Sequence, residues 1–145
     1  MKQVRIGPTH PEYVRLPSSH PREGAPAMVF LHEGLGSVAM WRDFPQKVAD
    51  ATGCEAVVYS RAGYGRSDPA KLPRGTRYMH DEGLEVLPAL LAALEIERPI
   101  LLGHSDGASI ALICAGGTDT RLTGLILMAP HVIVEDISVA SIAQA

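Results

Sequence analysis

Residues Gly103-His104-Ser105-Asp106-Gly107 constrain this chain more than any other stretch, because of what stands on either side of them. Pro99-Ile100-Leu101-Leu102 is a short apolar run of strand type, and Ala108-Ser109-Ile110-Ala111-Leu112-Ile113-Cys114-Ala115 is an apolar helical run. A G-x-S-x-G pattern between a strand and a helix is the setting of a nucleophile elbow. The turn holds the serine in a strained backbone conformation, with its hydroxyl above the end of a sheet. Gly103 and Gly107 leave the two crowded flanking positions free of side chains. The helix that follows points its N-terminus at the site, where its dipole and free N–H groups favour negative charge. Without such flanks the same five residues are a glycine-rich turn with an incidental serine.

The rest of the chain alternates strand and helix. Segment 27–31 is apolar without alternation, as expected of a strand buried on both faces, and 55–59, 99–102 and the apolar 122–128 also read as strands. Segment 39–52 reads as a helix stopped by Gly53. Segment 78–94 carries Leu84, Leu87, Leu91 and Leu94 at helical spacing, with Pro88 inside it, so this helix is kinked or starts late. A further helix spans 106–115. Strands joined through helices imply right-handed crossovers and a parallel sheet. Ahead of them, Gln3-Val4-Arg5-Ile6 and Tyr13-Val14-Arg15-Leu16 read as an antiparallel hairpin with Pro8 and Pro11 in its turn.

Two further motifs follow two of these strands. Leu31-His32-Glu33-Gly34-Leu35-Gly36-Ser37, then Trp41, resembles the His-Gly oxyanion loop of α/β-hydrolases. Tyr59-Ser60-Arg61-Ala62-Gly63-Tyr64-Gly65-Arg66-Ser67-Asp68 resembles the G-x-G-x-S turn of the same family. With the elbow, three motifs stand in family order across residues 26–130. Glu33 replaces the glycine of His-Gly in many members, and Ser60 an aspartate. The resemblance implies an α/β fold: a mostly parallel sheet with helices on both faces. It also implies incompleteness. The chain has 145 residues, against roughly 200–250 for a large α/β catalytic domain. Residues 1–130 correspond to the N-terminal part of the core, and 131–145 to the start of a cap or lid.

Composition narrows the partners. Hydrophobic residues are 46% and charged ones 20% of the chain, which is globular, and the formal net charge of −3 offers no footprint for nucleic acid. Met1-Lys2-Gln3-Val4-Arg5 leads into no apolar h-region, and no apolar run reaches about 18 residues, so the expectation is a cytoplasmic protein with no membrane partner. Cys54 and Cys114 fit no metal or redox spacing and read as reduced core residues. Gly34-Leu35-Gly36-Ser37 and Gly63-Tyr64-Gly65 are too short for dinucleotide fingerprints. No cofactor and no metal are expected.

The site residues follow from the motifs. Ser105 is the expected catalytic nucleophile. The backbone N–H of Asp106, next after it, is one expected oxyanion donor. The second comes from the 32–36 loop, from Gly34 or its neighbour Leu35. The Asp106 side chain reads as a helix N-terminal anion rather than a catalytic acid. His32, His104 and His131 are candidates for the pocket wall. For His32, holding its loop by a hydrogen bond is the stronger reading. His104 either lines the pocket or packs beneath the elbow. His131 lines the pocket, serves structure or stands in as base. His80 reads as solvated, and Trp41 as packing under the oxyanion loop.

A serine hydroxyl needs a base, and that base an orienting acid. In the resembled family the order is Ser, then Asp or Glu, then His. Ser105, Asp119 and His131 stand in that order, but Asp119 follows the helix that leaves the elbow and should lie a strand length away, about 17–20 Å, at the other end of the sheet. The chain therefore carries an expected nucleophile and oxyanion hole without a recognisable acid–base pair, and little or no esterase activity is expected of these 145 residues alone. Serine rather than aspartate at the elbow points to acyl chemistry on an ester, thioester, amide or carbon–carbon bond, not to the alkyl-ester route of dehalogenases and epoxide hydrolases that the fold also resembles. The alternatives are a ligand-binding member without turnover, or a non-catalytic fragment. The 122–128 strand is expected at the sheet edge, where an apolar row favours self-association, unless Ile133, Ile137 and Ile142 fold back to cover it.

Overall fold

A computed structural model describes residues 1–144. Strands β3 (Met28–Leu31) and β4 (Ala56–Tyr59) are buried at every position, which is why they read as unbroken apolar runs. They sit at the centre of a six-stranded sheet of order β1-β2-β4-β3-β5-β6, with β1 at Lys2–Gln3, β2 at Glu12–Leu16, β5 at Ile100–His104 and β6 at Gly124–Met128. The pairs β4–β3, β3–β5 and β5–β6 are parallel. The two leading strands are antiparallel, β2 pairing with β4 and β1 with β2. The expected hairpin forms, but its first arm is cut to Lys2–Gln3; the chain turns through Gly7-Pro8 with a lone bridge between Ile6 and Thr9.

The chain steps from β3 outward to β4, then crosses back over β3 to β5 and on to β6. Right-handed crossovers in opposite directions put their helices on opposite faces. One face carries α1 (Phe44–Thr52) over Phe30, Ala56, Val58 and Leu102. The other packs Leu87, Leu90, Ile110 and Cys114 over Val29, Val57, Tyr59 and Leu101. Alternate strand residues thus feed two cores. Both cysteines are free and buried.

Two helices differ from their expected form. The 39–52 helix is split into a 3-10 turn at Val38–Trp41 and α1, because Arg42 adopts φ 52° between them and Pro45 occupies the first turn of α1, where its missing N–H costs nothing. The 78–94 helix runs as α2 (Tyr78–Asp81), a π-type stretch Glu82–Val86 and α3 (Leu87–Ala93). Pro88 cannot donate to the preceding turn, and the wider π turn accommodates the lost bond. α4 (Asp106–Gly117) follows the elbow, and α5 (Asp136–Gln144) follows β6 with no buried residue. No described helix is long and apolar enough to cross a membrane.

In a doubly wound sheet ligands bind beyond the carboxyl ends of the strands, where the winding reverses. Here the reversal lies at β3, and His32, Ser60 and Ser105 each directly follow a strand at that end.

Candidate active site

Ser105 joins β5 to α4 at φ 52°, ψ −116°. That conformation is disfavoured for a residue with a Cβ and costs about 1–3 kcal/mol, which the surroundings must overcome. They do so by close packing. A Cβ on Gly103 would lie 2.4 Å from the Gly107 carbonyl oxygen, and one on Gly107 would lie 2.1 Å from that of Leu31. The two glycines let α4 start against the end of β3. The Ser105 N–H donates to the Met128 carbonyl at 2.8 Å, tying the elbow to the end of β6. Its carbonyl accepts from the Ala108 and Ser109 N–H groups, so α4 begins at once.

The 32–36 loop lies beside the elbow. A Cβ on Gly34 would stand 3.2 Å from Oδ2 of Asp106. Within the loop the Gly36 N–H donates to the Glu33 carbonyl at 3.2 Å, whereas the N–H groups of Gly34 and Leu35 have no acceptor among the described residues. The Asp106 N–H, in the first turn of α4, has none either. Leu35 is 85% exposed.

His32 does not line a pocket. Its side chain is completely buried, which corrects its place among the pocket-wall candidates and agrees with the loop-holding reading. Nδ1 lies 2.7 Å from the Glu33 carbonyl, and Nε2 accepts from the Arg61 N–H at 3.0 Å. A ring that donates through one nitrogen and accepts through the other is neutral. Burial first, then the Arg61 charge, lowers its pKa to about 3. Arg61, itself buried, donates to the carbonyls of His32 at 2.6 Å and Glu33 at 3.0 Å. Ser60 is also buried: it donates to Glu12 Oε1 at 2.7 Å and accepts from the Val38 N–H at 2.8 Å. Trp41 packs edge-on against Phe30 and stacks on Phe44.

On the other flank, Asp106 and His131 meet Ser105. His131 Nε2 lies 2.9 Å from Ser105 Oγ and 3.3 Å from Asp106 Oδ1. The Tyr78 hydroxyl donates to Asp106 Oδ2. Burial, then this hydrogen bond to the carboxylate, pushes the Tyr78 pKa well above the usual phenol range. His104 is exposed at the end of β5, so it is not packed beneath the elbow, and His80 is exposed on α2. Asp119 sits beyond α4, in the turn whose Thr123 N–H bonds the Pro99 carbonyl at the start of β5, the end of the sheet away from Ser105. A cavity of about 490 Å³ lies over the next loop, lined by Gly63, Tyr64, Ser67, Pro69, Ala70, Leu72 and Arg74.

Arg61 and Tyr78 are the residues that reading the sequence missed. Arg61 lies inside a recognised motif, yet nothing in its spacing says that it reaches back to the carbonyls at 32 and 33. Tyr78 contacts Asp106 across 28 residues, a distance without a periodic signature.

The model of the alpha/beta hydrolase fold family matches residues 26–142. The chain is 32% identical over 108 residues to 2-hydroxy-6-oxononadienedioate/2-hydroxy-6-oxononatrienedioate hydrolase 2 of Pseudomonas putida, covering 73% of this chain and 37% of that protein. An alpha/beta hydrolase fold protein from Burkholderia ambifaria superposes with a TM-score of 0.74 at 21% identity, over 99% of this chain and 49% of its own. A carboxylesterase from Bacillus subtilis superposes at 0.74 and 20%, over 98% and 47%. The chain thus spans little more than a third of the curated relative and about half of the solved structures.

Proposed function

The chain belongs to the α/β-hydrolase fold family, and from that premise we propose that it is a serine hydrolase of acyl substrates, with Ser105 as nucleophile. The observation that carries this is the strained Ser105 backbone at the carboxyl end of a parallel strand, with its Oγ 2.9 Å from an imidazole nitrogen. A hydroxyl so placed attacks an acyl carbon, forming the C–O bond as the carbonyl π electrons move onto oxygen. The N–H groups of Asp106 and of Gly34 or Leu35 receive that oxyanion. Their lack of other acceptors supports this role, and one such donor is worth about 2.7–4 kcal/mol of barrier. Collapse expels the leaving group, and water then releases the acyl group from Ser105. Serine chemistry directs the substrate class toward esters, thioesters, amides or the carbon–carbon bond of an acyl ketone. Residues 131–145 would begin a cap over this site; Val132, Ile133, Val134, Ile137, Val139 and Ile142 within them face solvent.

Active-site titration tests the reading. Mixing the chain with excess p-nitrophenyl acetate should release a burst of about one p-nitrophenolate per chain, as expected when an acyl-enzyme accumulates. The burst should vanish in Ser105→Ala. A burst of equal size in the variant would contradict the proposal.

A further inference from the structure

We propose that Arg74 and the cavity beside it form a subsite for a carboxylate that the acyl substrate carries remote from its scissile bond. This rests on the serine hydrolase reading and deepens it, because that reading leaves the acyl group open.

The turn after β4 holds a cation in place. Gly63 adopts φ 85°, a conformation that favours glycine, and a Cβ there would stand 2.9 Å from the Ala70 Cβ and 3.2 Å from Arg74 Nη2. The missing side chain lets the 69–74 segment fold back over the turn. Arg74 is then held by three contacts. Its Nη2 donates to the Ala62 carbonyl at 2.8 Å. Its guanidinium carbon lies 4.8 Å from the centre of the Tyr64 ring and 5.7 Å from that of Tyr78, both cation–π distances. These contacts orient the charge without neutralising it. Among the described residues no carboxylate forms an ion pair with Arg74, and its Nε and Nη1 donate to none of them. A held guanidinium with free N–H groups presents the planar fork that a carboxylate accepts.

The surroundings select the rest of the ligand. The cavity of about 490 Å³ has Tyr64, Pro69, Ala70 and Leu72 in its wall and no acidic residue. Buried Arg61 lies 5.4 Å from the Tyr64 ring centre, a second positive charge behind that wall. An apolar body ending in an anion suits these walls, and a cation does not. Tyr78 links the cavity to the elbow, since its ring packs under Arg74 and its hydroxyl donates to Asp106, the neighbour of Ser105. The Asp106 carboxylate disfavours a second anion beside the nucleophile, whereas Arg74 favours one a tyrosine side chain away. The two charges therefore set the direction in which a substrate lies, with its ester at Ser105 and its carboxylate at Arg74.

Two measurements on the 145-residue chain test the assignment. The first compares burst rates at limiting concentration for the p-nitrophenyl hemiester of suberic acid and the p-nitrophenyl ester of octanoic acid, which differ by one carboxylate. The hemiester should acylate Ser105 about tenfold faster or more, the worth of a hydrogen bond to a charged group. Arg74→Gln should erase that preference, and Arg74→Lys, which keeps the charge without the fork, should retain part of it. The ratio of the two rates is not moved by partial loss of folded chain, and the lysine variant carries the test if the glutamine variant does not fold. The second measurement needs no reaction. Suberate added to the ¹⁵N-labelled Ser105→Ala chain should shift the Gly63 and Ala70 amide signals saturably, and inorganic phosphate at matched ionic strength should not. An equal or reversed preference in the wild-type chain, a preference unchanged in Arg74→Gln, or shifts as large with phosphate would overturn the proposal while leaving Ser105 as nucleophile. A burst with neither ester would instead sink the serine hydrolase reading, and the suberate shifts would then decide the carboxylate site by themselves.

Discussion

At the scale of single residues, a neutral imidazole and a buried guanidinium set the loop beside the elbow. His32 bridges the Glu33 carbonyl and the Arg61 N–H, and the Arg61 guanidinium donates to the carbonyls of His32 and Glu33. Protonating His32 would abolish its acceptor and bring a second cation against Arg61. This gives a signed pH dependence. The folded pKa is about 3 against an ordinary 6.5. Between those values the unfolded chain binds a proton at this site and the folded chain does not. The stability due to neutral His32 is therefore complete above pH 6.5 and is lost as the pH falls toward 3, at up to about 1.4 kcal/mol per pH unit. Half-buried Glu82, whose pKa is raised by desolvation, works the other way, since the folded chain holds that proton more tightly and loses stability as the pH rises. His32→Gln isolates the first effect: its amide can donate to Glu33 and accept from Arg61, but it does not titrate. Urea midpoints between pH 6.5 and 4 should fall more steeply for the wild-type chain than for the variant. Parallel slopes would show that His32 titrates as an exposed histidine does.

At the scale of elements, the contrast between the central strands and β6 is informative. β3 and β4 were legible in the sequence because strands buried on both faces have no polar alternation, and their parallel pairing followed from the helices between them. The split at Arg42 was not legible: a left-handed φ at an arginine has no signature in composition or period. The π stretch was legible only as trouble around Pro88. β6 reads like the central strands, yet Leu125 and Ile126 are 36% and 40% exposed. Successive strand residues face opposite sides of a sheet, so β6 is partly exposed on both faces at Leu125 and Ile126, while Leu127 and Met128 pack against the two cores. Its outer edge has no partner strand among the described residues. Ile133, Ile137 and Ile142, the alternative by which the chain would fold back as partial cover, are 69%, 75% and 70% exposed and do not shield it. An apolar open edge pairs readily with another, and the partner proposed here is a second copy of the chain. Sedimentation at tens of micromolar should show species larger than the monomer, and Ile126→Lys, a charge of the kind that blunts natural edges, should shift the population toward monomer. A monomer at every concentration would refute this.

At the scale of the whole molecule, the sheet brings together segments that are remote in sequence, and this decides which part of the site could be read in advance. The Ser105 turn, the 32–36 loop and the 59–68 turn are local motifs, each following its own strand, and all three lie at one end of the sheet. The acid–base side has no local motif. Ser105, Asp119 and His131 look like a triad along the chain, but the length of α4 carries Asp119 to the far end, while β6 returns His131 to the near one. Asp106 was read as a helix N-terminal anion, and its carboxylate faces His131 and Tyr78 instead of solvent. All of this turns on Ser105 being the reactive atom. The most direct test is to treat the chain with a fluorophosphonate, digest it and map the adduct by mass spectrometry. One adduct per chain, on the peptide containing Ser105 and absent from Ser105→Ala, is the predicted result. An adduct on another residue, or one that persists in the variant, would contradict the central claim.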